Sequence, residues 1–173
     1  TPQILLDNIP AMQSRGYAGS IFKLEGLYAD VFVNNPERLH DETALTSNYE
    51  TLRQIKESGY TENFLLVYSQ MNEGWSWLSD TDWSNTEAKL NGFVRAAKEG
   101  GLSGLMFDPE PYGFSPWRYD QAYYQGKTLE EVSQVVRERG KRFMQIIQTE
   151  LPDAKILSLL LMHPIVQGWE NFT

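Results

Sequence analysis

The chain reads as an α/β protein with a parallel sheet. Within that class it reads as part of a (β/α)8 TIM barrel, about four βα units with the first strand and the last three strands absent. Three observations lead there. Helix-like and strand-like segments alternate from end to end, the order of βαβ units joined by right-handed crossovers. Long aromatic-rich loops follow strands, whereas the connections from helix back to strand are short. An apolar run, Leu105-Met106-Phe107, then stops abruptly at Asp108-Pro109-Glu110-Pro111. An open doubly wound sheet would also put ligands at the carboxyl ends of its strands, and the loop asymmetry favours the barrel.

Taken in order, Thr1 and Pro2 read as an N-cap and a proline at the first helical position. The helix is expected to run to Arg15, with Leu5, Ile9 and Met12 on one stripe and with Pro10 kinking or shortening it. No element precedes it, so a fragment, or a chain lacking its first strand, is expected. Gly19 to Leu24 reads as a strand, with Lys23 and Glu25 on one face near its end. Residues 26 to 44, with the lone His40, read as a long loop. A helix capped by Thr46 or Ser47 follows to Glu57, then a strand over Asn63 to Gln70. On the period of two, Leu66, Tyr68 and Gln70 share a face. A loop holding Trp75 and Trp77 leads to a helix from Trp83 or Ser84 to Lys98.

The central strand ends at Asp108 because neither Pro109 nor Pro111 has an N–H to donate to a ladder. If extension persists, Asp108 and Glu110 share a face, their β-carbons roughly 6–7 Å apart. Paired carboxylates that close hold different protonation states, which suits general acid chemistry. The plain alternative is a loop in which the aspartate caps a turn and the glutamate faces water. A second aromatic loop, holding Tyr112, runs from Pro111 to Lys127. Thr128-Leu129-Glu130-Glu131 fits a capping box that opens a long helix, stopped by Leu151-Pro152. Lys155 to Met162 is the last strand, with His163 at its carboxyl end. Asn171-Phe172-Thr173 matches a glycosylation sequon, a weak signal.

Residues Ser103 to Glu110 resemble the fourth-strand signature of glycoside hydrolase family 18, the chitinases and endo-β-N-acetylglucosaminidases, in which Asp-Gly-x-Asp-x-Asp-x-Glu ends a barrel strand. Gly104, Asp108 and Glu110 match, while Ser103 and Met106 stand where that family keeps aspartates. The resemblance implies that Glu110 protonates the glycosidic oxygen and that Asp108 orients a substrate acetamido group acting as the nucleophile. With Met106 in place of an aspartate, an ordinary two-carboxylate mechanism stays equally open. More broadly, the chain looks like a (β/α)8 glycoside hydrolase.

Composition narrows the partners. The 173 residues suffice for a single domain over 1–173, here a catalytic-type but incomplete barrel. A net charge of −8 argues against nucleic acid or an anionic membrane as the main partner. Without cysteine there is neither a disulfide nor a thiolate metal site. No Gly-rich phosphate loop follows any strand, so no nucleotide cofactor is expected. Aromatics make up 13% and crowd the loops, which suits stacking on sugar rings. The expected partner is therefore a carbohydrate, held by Tyr68, Gln70, Trp75, Trp77, Tyr112 and His163, with Glu110 and Asp108 catalytic. A secreted or periplasmic location accompanies that expectation, and the oligomeric state is left open. Two other classes compete. One is a metal-dependent barrel enzyme, a phosphodiesterase or sugar isomerase, using Asp108, Glu110 and His163. The other is a non-catalytic carbohydrate-binding barrel.

Overall fold

A computed structural model of the chain describes residues 1–28, 30–35, 40–71, 73–110 and 115–159. Among the described residues four helices, α1 (Pro2–Gln13), α2 (Glu42–Glu57), α3 (Asp80–Glu99) and α4 (Leu129–Glu150), alternate with the strands of one sheet. Its strands are β1 (Ile21–Phe22), β2 (Asp30–Phe32), β3 (Phe64–Met71), β4 (Gly104–Asp108) and β5 (Lys155–Ser158). Every pairing is parallel. The class is thus α/β with a parallel sheet, as the alternation predicts.

β1 and β2 lie end to end along one edge of β3, so the sheet is four strands wide and its order follows the chain. A right-handed crossover always carries its helix to the same side when successive strands add in one direction. The packing agrees. Leu65 and Val67 of β3 and Leu105 of β4 belong to one buried apolar cluster with Leu52 and Ile55 of α2 and Leu90, Phe93 and Val94 of α3. Alternation sends Leu66, Tyr68 and Gln70 of β3 and Met106 and Asp108 of β4 to the opposite face. Among the described residues no helix covers that face, and Ile21 and Leu157 on it are 49% and 42% exposed.

Residues 26 to 44 differ from the expected loop. β2 lies inside that stretch, with Val31 and Phe32 buried against the core, and its pairing partner is a strand almost forty residues away. Local pattern does not display such a partner. α2 starts at Glu42 because Asp41 caps it, its Oδ1 accepting from the N–H groups of Thr43 (3.0 Å) and Ala44 (3.1 Å). α3 starts at Asp80, capped by Ser79, whose hydroxyl accepts from the N–H of Asp82 at 3.2 Å. In both cases a polar residue upstream of the apolar stripe sets the boundary. Pro10 sits inside α1 without interrupting it.

Glycine at 104 has a steric cause. A β-carbon there would collide with the carbonyl oxygen of Lys155 on β5, so the close pairing of β4 with β5 requires a residue without a side chain.

Candidate functional site

β4 delivers Asp108 to the carboxyl end of the sheet, on the helix-free face, with only 5% of its surface exposed. Its neighbour in the parallel register is Tyr68 of β3. The register partner of Tyr68 on its other side is Asp30 of β2. Directly paired residues of parallel strands point the same way, so Tyr68 and Asp108 share a face, while the register of β2 against β3 shifts between Asp30 and Phe32. Gln70 follows two positions after Tyr68 and shares its face, half-buried. The ammonium of Lys23 stands 5.8 Å from the centroid of the Tyr68 ring, a cation–π distance. Among the described residues, the side chains of Asp30, Tyr68 and Gln70 form no hydrogen bond within the protein.

Glu110 lies two residues past the last paired residue of the strand. The strand ends at Asp108, and the Oδ1 of Asp108 accepts the backbone N–H of Glu110 at 3.0 Å. That bond closes a turn of the kind aspartates favour. Pro109 cannot pair, so the ladder stops there, and Glu110 lies exposed beyond the strand. Asp108 therefore has a structural task, fixing the backbone of Glu110, in addition to its position beside Tyr68.

The tryptophans expected to hold sugar do something else. Trp75 and Trp77 are buried in a cluster with Phe32 and Trp83. The indole N–H of Trp75 donates to the Thr86 hydroxyl at 3.1 Å, and that of Trp77 to the Pro116 carbonyl at 2.7 Å. The Tyr123 hydroxyl donates to the Trp75 carbonyl. Burial pushes that phenol above its ordinary pKa, with the charge of Asp82 adding, so it stays a neutral donor. The two aromatic loops are thus cross-braced against each other, and large rings there contribute core packing. Trp117 differs: it is 46% exposed, and its indole N–H donates to the Pro109 carbonyl at 2.7 Å, one residue past Asp108.

His40 stands apart from this face. Its Nε2 lies 2.8 Å from Glu42 and 3.1 Å from Arg95, which lodges it between α2 and α3. Lys23, in contrast, does reach the site face. Tyr112, His163 and the Asn171 sequon lie outside the described residues. Among the described residues no three Asp, Glu or His side chains converge as a metal site, and no helix is long and apolar enough to cross a membrane.

Compared with protein-family models, with curated proteins and with solved structures, the chain matches none.

Proposed function

We propose that this chain is part of a (β/α)8 barrel and acts as a glycoside hydrolase on an oligo- or polysaccharide outside the cytoplasm. Sequential strand order supports the barrel: continued addition in one direction, with α2, α3 and α4 on one face, curls a sheet toward closure. The helix-free face would then be the barrel interior. The exposed Ile21 and Leu157 on it are the residues that further barrel wall would cover.

The single observation that carries the activity is a buried carboxylate, Asp108, at the carboxyl end of a central strand beside a tyrosine whose hydroxyl has no hydrogen-bond partner among the described residues. In barrel enzymes that end of the strands is where chemistry is done. Glu110, held at the next turn by Asp108, would give its proton to the glycosidic oxygen. Asp108 would stabilise positive charge growing at the anomeric carbon. Tyr68 and Gln70 would hydrogen-bond sugar hydroxyls. Replacing Glu110 by Gln keeps size and removes the acid. On unactivated oligosaccharides the variant is expected to lose turnover by about 10²–10⁴-fold while melting like the parent chain. Parent-like turnover would remove Glu110 from the mechanism. Glycan binding by the parent without product over long incubation would replace hydrolysis with binding.

A further inference from the structure

We infer that the substrate is an acidic glycan, and that Lys23 binds the anionic group, carboxylate or sulfate, that its sugars carry. This names the substrate class for the hydrolase reading above and rests on it. Two independent observations put Lys23 on the site face. Phe22 and Leu24, its neighbours in sequence, are both buried in the helix-side core, so alternation sends Lys23 the other way. Its ammonium stands 5.8 Å from the ring centroid of Tyr68, and Tyr68 pairs in register with the buried Asp108.

Charge gives the ligand its sign. Among the described residues Lys23 forms no ion pair and no hydrogen bond, and Glu25, two residues on, does not pair with it. Tyr68 and Gln70, half-buried and neutral, likewise keep their side-chain polar atoms without a partner there. The Asp108 carboxylate is already engaged by the Glu110 N–H. The polar partner of Lys23 among the described residues is therefore the face of a tyrosine ring, a weak interaction at an exposed site.

A sugar bound on this face displaces water from the ammonium. Under a neutral sugar the charge loses hydration and gains only hydroxyl contacts, at a net cost. An anionic group replaces that hydration with a charge-assisted hydrogen bond, so covering the site becomes favourable. Lysine is a point charge on a flexible stem, without the planar fork of arginine, so it takes carboxylate or sulfate alike. Tyr68 and Gln70 then serve the neutral hydroxyls of the same glycan. Asp108 lies one strand spacing, about 4.8 Å, from the Tyr68 backbone, so the anion site and the proposed chemistry share one continuous face. The chain carries −8 overall, so its long-range field does not draw in an anion and recognition has to be local.

The test titrates the full chain and its Lys23→Met and Lys23→Arg variants with matched oligosaccharides in a calorimeter. The panel holds uronic-acid oligosaccharides, their carboxyl-reduced neutral counterparts, and sulfated forms of the same neutral chains. The parent should bind an acidic set about 10–100-fold tighter than the neutral one, and the tighter acidic set identifies carboxylate or sulfate. That ratio needs no variant, so it decides even where a substitution unfolds the chain. Lys23→Met keeps an apolar stem and removes the charge. It should lose the preference while binding the neutral set like the parent, and Lys23→Arg should restore most of it. Lys23 is exposed, so both variants are expected to melt like the parent chain. A parent that binds neutral chains as tightly as acidic ones overturns the inference, as does a Lys23→Met variant that keeps the preference. Either result leaves the hydrolase reading standing. Product analysis of the same mixtures tests that reading separately: acidic chains bound but never cleaved remove hydrolysis and keep Lys23 as the anion site. A parent that binds no member of the panel overturns both.

Discussion

Tyr68 and Asp108 are register partners on β3 and β4, so a phenol and a buried carboxylate stand side by side on the face of the sheet that no described helix covers. Asp108 at the same time accepts the N–H of Glu110. One side chain thus serves both the turn and the proposed chemistry, and the two tasks separate by substitution. Asp108→Asn keeps an oxygen for the turn and removes the charge. It is expected to melt near the parent chain and to lose turnover on glycans by about 10²-fold or more. Asp108→Ala should lose the same turnover and, in addition, about 1 kcal/mol of stability from the missing turn bond. Urea denaturation of both variants beside the activity assay distinguishes these outcomes.

Trp77 is a brace between the loops that follow β3 and β4, with its indole N–H on the Pro116 carbonyl. Trp77→Ala is expected to cost about 3–5 kcal/mol in unfolding free energy, the usual range for deleting a buried large aromatic. A sugar platform would behave differently, raising KM at unchanged stability.

The close approach of β4 to β5 makes a second site of high cost. Gly104→Ala drives a methyl group against the Lys155 carbonyl and is expected to lose about 1–3 kcal/mol, in the range for overpacked interiors. A variant as stable as the parent in thermal melting would show that the two strands separate easily.

Gly140 offers the opposite case. It lies within α4 and lines an apolar cavity of about 230 Å³ between that helix and the sheet, where an added β-carbon meets no atom within 4 Å. Gly140→Ala removes the entropic penalty of a helical glycine without a clash and is expected to add about 0.5–1 kcal/mol. Chemical denaturation of the two chains reads this directly.

The capping box of α4 sets a pH dependence. Glu131 has its carboxyl lowered from 4.5 to about 2, first by the backbone N–H of Thr128, then by the side chains of Lys127 and Thr128. A group whose folded pKa is depressed stabilises fully above its unfolded pKa and loses that contribution as pH falls through the folded one. The stability advantage of the parent over Glu131→Gln should therefore be constant above about pH 5 and shrink between 4.5 and about 2. Melting curves across that range test it. An advantage that persists undiminished at the acid end would remove the charge from the explanation.

The parallel α/β class, β3, β4 and the capping box that opens α4 were all legible from residues alone. Their signals are local: an apolar run stopped by Pro109, alternation around Tyr68, and Thr128 three residues before Glu131. Apolar periodicity puts the starts of α2 and α3 several residues late because it marks the buried stripe, whereas the helix begins at the cap, Asp41 or Ser79. β2 was not legible at all. A three-residue strand in a polar stretch is stabilised by pairing with Tyr68 and Met71, and sequence adjacency carries no trace of that register.

Composition and local pattern by themselves determined that this chain builds parallel βα units with an acidic residue at the carboxyl end of a central strand. Which side chains meet there was decided only by tertiary structure. Register set Tyr68 beside Asp108, a backbone hydrogen bond tied Glu110 to the Asp108 carboxylate, and packing took Trp75 and Trp77 into the core. The physical reason is one of range. Propensity and periodicity act over a few residues, while hydrogen-bond register joins strands about forty to fifty residues apart.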